Sequence, residues 1–425
     1  MGTDAANHGS TFAGAANAVS ERWRILAFSL LAWTLSNMDQ SLFGYAVPGL
    51  LAEFRLGLDA VGLILSVSFV TAAVLAIAAG LAADRWGRRW TLAVLLGSSA
   101  LLVGLHALAT DPLTLTILRA RAFGLAAGLA PITAAYVAEA APDRYRGLLM
   151  GVLQCGYPLG WFLAALVATP LLESHGWRAI FLLGFAVVPI AILIGWRLPE
   201  SGRFAQVAAT SAPGTRRGGV DFALLRELFG PRYRRTSLAA CGMFLAFGCA
   251  YAGSAFYFPT FFMEVRGYTA AEAAWLVGLS NGIAIAGYLL AAAVGEFVIT
   301  RRNTFVLWCA IGAAMLLMLL WLPQARWHDL LLFALTTSFF YGSNAVVGTI
   351  LTDLYPTRMR STAFAACGSA PLSIGFATFP VLVPVGVAAL GWQAALSVLV
   401  VPALVAAAAC AALLPNRASG QPLDD

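Results

Sequence analysis

Apolar residues occur along this chain in long blocks, each closed by charged or Gly/Pro-containing turns. A helix that crosses the hydrocarbon core of a bilayer needs about 20 mostly apolar residues. Twelve such blocks can be read, at roughly 23–50, 60–82, 91–110, 113–139, 147–170, 177–198, 236–262, 273–299, 304–322, 329–352, 361–389 and 392–414. Several exceed the minimum, which predicts tilt or extension beyond the lipid. The pattern predicts an all-α polytopic membrane protein whose twelve transmembrane helices form two six-helix, pseudo-symmetric bundles. A tail at 1–22 precedes the first bundle, 23–198, and a central loop, 199–235, separates it from the second, 236–414, which is followed by a tail at 415–425. In the central loop a Gly/Pro/Ser-rich stretch gives way to Asp221–Phe229, which reads as a short amphipathic helix on the membrane surface.

Composition removes the soluble alternative. Of the 425 residues 60% are hydrophobic and 11% charged, and the mean hydropathy is +0.81. A soluble domain averages about 25% charged residues, so this chain could not clothe a water-facing surface. The 26 basic residues are all Arg and the net charge is +6. They sit in short loops between apolar runs, which excludes a nucleic-acid partner. With the N-terminus inside, twenty Arg fall on the cytoplasmic side and four (Arg55, Arg178, Arg266, Arg326) outside. The positive-inside rule thus fits twelve spans with both termini cytoplasmic, and the all-Arg usage points to a bacterial inner membrane. Residues 1–20 have no apolar core and read as neither a signal peptide nor a span. The six Cys lie inside apolar stretches without metal-type spacing and read as packing residues. No phosphate-binding loop, metal motif or catalytic constellation is present, so no enzyme activity, cofactor or metal is expected.

The two halves repeat. Glu139-Ala-Ala-Pro142-Asp-Arg-Tyr-Arg146-Gly147 ends span four, and Asp353-Leu-Tyr-Pro356-Thr-Arg-Met-Arg360-Ser361 ends span ten. Acid, Pro and Arg match at an offset of 214 residues, which also carries Gly128 onto Gly342; Gly80 falls beside Gly295. Duplicated halves imply alternating access, in which one bundle rocks against the other around a central site.

Three motifs carry a family resemblance. Gly80-Leu-Ala-Ala-Asp84-Arg85-Trp-Gly87-Arg88-Arg89, between spans two and three, resembles the signature loop of the major facilitator superfamily. Arg119…Pro131…Glu139-x-x-Pro142-x-x-x-Arg146-Gly147 resembles the span-four motif of its sugar porters and aromatic-acid/proton symporters. Leu198-Pro-Glu200-Ser201-Gly202-Arg203-Phe204 is similar to the motif that follows span six there, with Gly202 in place of a second Pro. In span one, Asn37-Met-Asp39-Gln40 resembles the acidic motifs of aromatic-acid and organic-anion symporters. Ser36 and Gln40 replace charged residues of those motifs, so their substrate contacts do not transfer. Gly295-Glu296-Phe-Val-Ile-Thr-Arg301-Arg302 is a shortened copy of the signature loop without its Asp. The resemblance implies a cytoplasmic ionic latch built from Asp84, Arg88, Glu139, Arg146 and Glu200, with Asp353, Arg360 and Glu296 as the second half's version. Orientation of the chain by positive charge alone explains many of the same Arg.

Asp39 is an isolated carboxylate deep in an apolar helix. A charge at mid-membrane costs about 2.5–3.5 kcal/mol on insertion scales, so the group must pair, face water or hold a proton. Arg119 lies about seven residues, or roughly 10 Å, inside span four, and Asp39 about nine residues, or roughly 14 Å, before Pro48. Their heights agree to within a helical turn. The expectation is a proton site at Asp39 and an anion site at Arg119, which protonation of Asp39 frees to grip a substrate carboxylate through bidentate bonds. A structural pair that fixes spans one and four is the alternative. Arg121, about 200° around the helix from Arg119, is expected to face away. Gln40, Tyr45, Gln154, Tyr157, Tyr251, Tyr257, Asn281, Tyr341 and Asn344, with Asn37, are candidates to line the site or to bond between helices. His106 reads as a packed residue. The partners expected are a small-molecule substrate, protons and the lipid bilayer, with the chain acting as a monomer. A proton-coupled importer of an aromatic or aliphatic carboxylate, a sugar or polyol porter, and a drug or metabolite efflux antiporter all remain open.

Overall fold

The computed structural model describes residues 4–142, 145–200, 222–323, 325–356 and 359–416. Among these there is no strand, and the helices follow one another as twelve segments. In the first half they are α1 (Asp4–Phe54), α2 (Leu58–Trp86), α3 (Arg88–Leu105, prolonged by the turn His106–Leu108), α4 (Pro112–Ala127, then Leu129–Ala140), α5 (Arg146–Gln154, then Gly156–His175) and α6 (Trp177–Phe181, then Leu183–Arg197). In the second they are α7 (Arg234–Ala252, then Phe258–Arg266), α8 (Ala270–Phe297), α9 (Arg301–Trp321), α10 (Arg326–Phe339, the turn Tyr341–Ser343, then Asn344–Leu354), α11 (Arg360–Ala363, a π-helical Phe364–Ser369, then Ala370–Leu390) and α12 (Trp392–Ala412). Ten are long and apolar enough to cross a membrane. The remaining two are α1, whose apolar run is interrupted by Asn37, Asp39 and Gln40, and α7, which a turn at 253–257 divides. A short helix, Phe222–Leu228, precedes α7. The Gly/Pro/Ser-rich part of the central loop, Ser201 to Phe204 of the span-six motif and the tail from 417 lie outside the described residues.

Local chemistry places the helix ends. Asp111 accepts from the Thr114 amide at 2.9 Å with Pro112 in the first turn, which satisfies one of the orphan donors of α4. Thr269 and Glu272 form a reciprocal capping box at the start of α8, with bonds of 2.9 and 3.2 Å. The regular course of α4 ends at Gly128 and that of α10 at the turn containing Gly342. The repeat visible in the sequence is therefore also a repeat of helix breaks.

The halves meet along two related seams. A methyl group at Gly62 of α2 would collide with the Pro380 carbonyl of α11, and one at Gly278 of α8 with the Ala165 side chain of α5. Both seams lie near the starts of α2 and α8 and both need the missing Cβ for close contact. At the same end each half carries a matching clamp. Gly176 and Gly391, at φ 73° and 79°, turn the chain into α6 and α12. The residues that follow, Trp177 and Trp392, donate their indole N–H to Glu53 at 2.7 Å and to Glu264 at 2.8 Å. Each first helix of a half is thereby tied to that half's last.

Arg178 also pairs with Glu53. Its bond holds the Glu53 carboxyl below the ordinary 4.5; the Trp177 bond adds to this and partial burial opposes it. A depressed carboxyl contributes stability above its unfolded value, and that contribution is lost as pH falls through the folded value. The side chain is 45% exposed, so solvent screening limits the effect to under about 1 kcal/mol. Thermal unfolding in detergent should show a small loss between pH 6 and pH 4 that Glu53→Gln removes. An identical acid loss in that variant would place the sensitivity elsewhere.

Candidate functional site

The centre of the molecule is a narrow slit lined by Tyr157 and Trp161 of α5, Ala255 in the turn within α7, Val277 and Asn281 of α8, and Phe333 and Tyr341 of α10. About 170 Å³ of interstitial space remains among them, too narrow for a water-sized sphere. Aromatic rings close it. Tyr251 packs at 5.4 Å from Tyr157, 4.8 Å from Tyr341 and 5.8 Å from Phe376. Phe69 of α2 stands 5.0 Å from Phe376 and 5.9 Å from Phe256, and Phe256 is 6.0 Å from Trp161. Both bundles thus contribute to one aromatic plug. Two of these pairs, Tyr157–Tyr251 and Phe69–Phe256, meet edge to face and the others are tilted; aromatic pairs of this kind gain roughly 0.5–1.5 kcal/mol each beyond burial, which favours the packed arrangement.

Three of the candidate lining residues, Tyr157, Asn281 and Tyr341, sit on the slit. Asn281 donates to the Val277 carbonyl at 2.8 Å, and the Tyr341 hydroxyl lies 3.1 Å from that of Ser254. Tyr45 and Tyr257 instead spend their hydroxyls on backbone carbonyls, those of Trp161 at 3.0 Å and Pro380 at 2.6 Å. Gln40, Gln154 and Asn344 are half-buried nearby in α1, α5 and α10. Trp161, missing from the sequence candidates, is the largest buried ring on the slit; its place directly after Gly160 carries no signal that separates it from a packing Trp.

Asp39 and Arg119 are set apart from the slit, in the interior of the first bundle. Each is 2% exposed. They feel one another's charge, yet neither Asp39 oxygen has a hydrogen-bond partner, nor do Nε and Nη2 of Arg119. The guanidinium lies over Phe43 at 4.4 Å and over Phe123 at 5.0 Å. Phe123 in turn packs at 4.9 Å from Phe69 of the plug. The direct ion pair expected from the sequence is therefore replaced by two buried groups, each with unmet polar atoms, and a cation–π cradle for the guanidinium. Arg121 is exposed, on the opposite side of α4.

At the end where α2 meets α3 and α8 meets α9 the acids and Arg separate into two clusters. In the first half Arg88 pairs with Glu139, while Glu200 accepts from the Arg88 amide at 3.0 Å and from the Tyr136 hydroxyl at 3.3 Å. Arg146 has interacting neighbours at the start of α5. Asp84 is in the last turns of α2, its side chain outside the described residues. In the second half Arg301 bridges Glu296 at 2.7 Å and Asp353 at 2.8 Å. Burial raises the Asp353 carboxyl above its ordinary value, against the pull of Arg301. Arg360, named in the sequence reading as the partner of this cluster, donates to the Tyr355 carbonyl at 3.1 Å. Arg301 is the hub that reading missed; its position in the degenerate copy of the signature loop was the available signal.

Gly147, at the head of α5, closes the two clusters against each other. A methyl group there would meet Glu296 Oε2 and Arg301 Nη2. Among the described residues no three His, Cys, Asp or Glu side chains gather where they could hold a metal ion.

Paired helical halves, a central slit, buried charges within the first bundle and ion clusters at one end define a multi-pass membrane transporter. The chain belongs to the Major Facilitator Superfamily, whose family model matches residues 29–370. It is 29% identical over 377 residues to the cis,cis-muconate transport protein of Acinetobacter baylyi, covering 84% of this chain and 88% of that protein. It is 32% identical over 241 residues to a gallate transporter of Pseudomonas putida, covering 51% and 53%. A 27% match over 260 residues joins it to the 4-hydroxybenzoate transporter PcaK of Pseudomonas aeruginosa, covering 57% and 55%. In fold it is similar to a bacterial homologue of the human lysosomal transporter Spinster in an inward-facing, unoccupied conformation. That match has a TM-score of 0.66 at 18% identity and covers 92% of this chain and 95% of the other.

Gly147→Ala should press on the Glu296 and Arg301 side chains and part the ends of α5 and α8 that meet there. Spin-label distances between these ends should lengthen, with a stability loss of about 1–3 kcal/mol typical of overpacking. Unchanged distances would show that the ion triad yields without the bundles moving.

Proposed function

We propose that this protein is a proton-coupled symporter of a small organic anion, working by alternating access. The observation that carries the reading is the pair of buried, oppositely charged groups, Asp39 and Arg119, each 2% exposed and each with polar atoms unmet. A structural pair would be expected to close into bidentate bonds. An unmet guanidinium at mid-depth is instead a seat for a carboxylate, and an unmet carboxylate beside it is a seat for a proton. In the proposed cycle protonation of Asp39 releases Arg119 to hold the substrate carboxylate, and the aromatic plug parts to receive the apolar body. Ring-lined walls suit an aromatic or unsaturated body, and the substrates for which the relatives are named, muconate, gallate and 4-hydroxybenzoate, are all organic acids.

The two bundles, 23–198 and 236–414, would rock about the seams at Gly62 and Gly278 while the clusters at Arg88 and Arg301 make and break with the cytoplasmic opening. The Arg distribution supports an inner-membrane protein with both termini in the cytoplasm. One chain carries both halves of the site, so the working unit proposed is a monomer.

Reconstituted protein tests this directly. Asp39→Asn should abolish pH-driven accumulation of 4-hydroxybenzoate far more than counterflow exchange, and Arg119→Ala should lose stabilisation by carboxylates in thermal unfolding. A charge-assisted hydrogen bond is worth about 1.5–3 kcal/mol, so affinity should fall at least about tenfold. Retained pH-driven accumulation in Asp39→Asn would remove the proton-site role. Stabilisation by sugars in place of acids would overturn the substrate class.

A further inference from the structure

His106 is buried without any exposed surface in the turn that ends α3, and the reading above gives it no role. Its Nδ1 lies 2.8 Å from the Leu102 carbonyl. A carbonyl only accepts, so Nδ1 carries the proton and the neutral ring offers its Nε2 lone pair. That Nε2 has no hydrogen-bond partner. The ring is stacked on Phe181 of α6 at 5.0 Å, which fixes its plane, and it is electrostatically coupled to Arg119 of α4. Arg119 is in turn coupled to Asp39. The other charged groups around the turn are at the outer surface: Arg178 of α6, which donates to the Ala109 carbonyl at 2.7 Å, and Asp111, which caps α4.

Depth orders the three groups. His106 is two residues from the outer end of its helical segment at Leu108, so about 3 Å inside it at 1.5 Å per residue. Arg119 lies roughly 10 Å inside α4 and Asp39 roughly 14 Å below Pro48 on the same rise per residue. Each presents buried polar atoms that no protein group satisfies, namely Nε2, then Nε and Nη2, then both carboxylate oxygens. Leaving such atoms dry costs about 1–3 kcal/mol each, and water supplies the missing bonds where there is room for it.

The geometry points to a hydrated proton track from the outer face to Asp39, with His106 as its outer relay. The inference rests on the reading of Asp39 as the proton site. In the relay a proton leaves a hydronium ion on the outer side and bonds to Nε2, so that the ring becomes an imidazolium while Nδ1–H keeps its bond to Leu102. The same Nε2–H bond then breaks toward a water beside Arg119, and that water's proton passes to an Asp39 oxygen. The ring and the waters return to their starting states, and the net change is one proton moved from outside to Asp39. Fixing Nδ1 on a carbonyl restricts the exchange to the nitrogen that faces the track.

Two measurements on the full-length protein in liposomes test the relay. The first needs no substrate. With ¹⁵N label confined to its four His, solid-state NMR follows each ring, and His106→Gln assigns the signal. The His106 signal should change reversibly with pH and its midpoint should move in Asp39→Asn. A ring that stays in the single Nδ1–H tautomer over the whole pH range of the folded protein, indifferent to Asp39→Asn, would overturn the relay.

The second follows 4-hydroxybenzoate. A general acid–base group contributes about 100-fold or more to a proton transfer, so His106→Gln should slow pH-driven accumulation at least about tenfold more than counterflow. Equal slowing of both, with Asp39→Asn still selectively defective, would overturn the relay alone. If Asp39→Asn retains pH-driven accumulation, the proton-site reading falls and takes the track with it.

Discussion

Lipid cannot solvate charge, and this constraint orders the molecule. Every ionisable group must be placed at an end, paired, cradled or wetted. Four solutions appear at four depths. Glu53 and Arg178 pair at the outer surface, where water shares the load. Arg301 sits between two acids at the cytoplasmic end. Arg121 escapes outward along its own side chain. Arg119 alone among these is held at mid-depth by aromatic faces rather than by an acid in contact. That last solution leaves donors open, and open donors in an apolar interior are what a carboxylate would seek.

The second organising fact is repetition. Glycine seams at Gly62 and Gly278, helix breaks at Gly128 and Gly342, and Trp–Glu clamps at Trp177 and Trp392 each occur once per half. The ion clusters do not repeat so faithfully. In the first half Glu200, reaching back from beyond α6, accepts from backbone amides at the head of α3. In the second, a single Arg gathers two acids from α8 and α10. Scaffold features follow the duplication, while the ion clusters have diverged. This division fits two frames of common construction whose working contacts differ.

Much of the frame was legible before any coordinates. Block length, Arg asymmetry and the offset of 214 residues depend on bilayer thickness, membrane potential and duplication, and all three leave marks in the linear order of residues. Asp39 and Arg119 stood out because a charge in an apolar run is rare for an energetic reason. The failures have equally definite causes. The Arg301 hub was hidden because a loop Arg that orients the chain and one that forms a latch look alike in sequence. For Tyr45 and Tyr257 the choice between lining the site and bonding between helices stayed open, because a sequence does not show whether a hydroxyl meets a carbonyl of a neighbouring helix. His106 read as a packed residue, and its one satisfied and one unsatisfied nitrogen exist only in three dimensions.

The seam where Gly62 meets Pro380 is a place where two backbones touch without interlocking side chains. Little rotamer freedom is gained or lost when such a surface parts, and what is surrendered is mostly dispersion, which acyl chains supply about as well as protein does. The bilayer is therefore a competitor for this surface. Chain length, saturation and lateral pressure set how readily a lipid tail replaces α11 against α2, so the membrane itself becomes one of the ligands that bias which way the transporter faces.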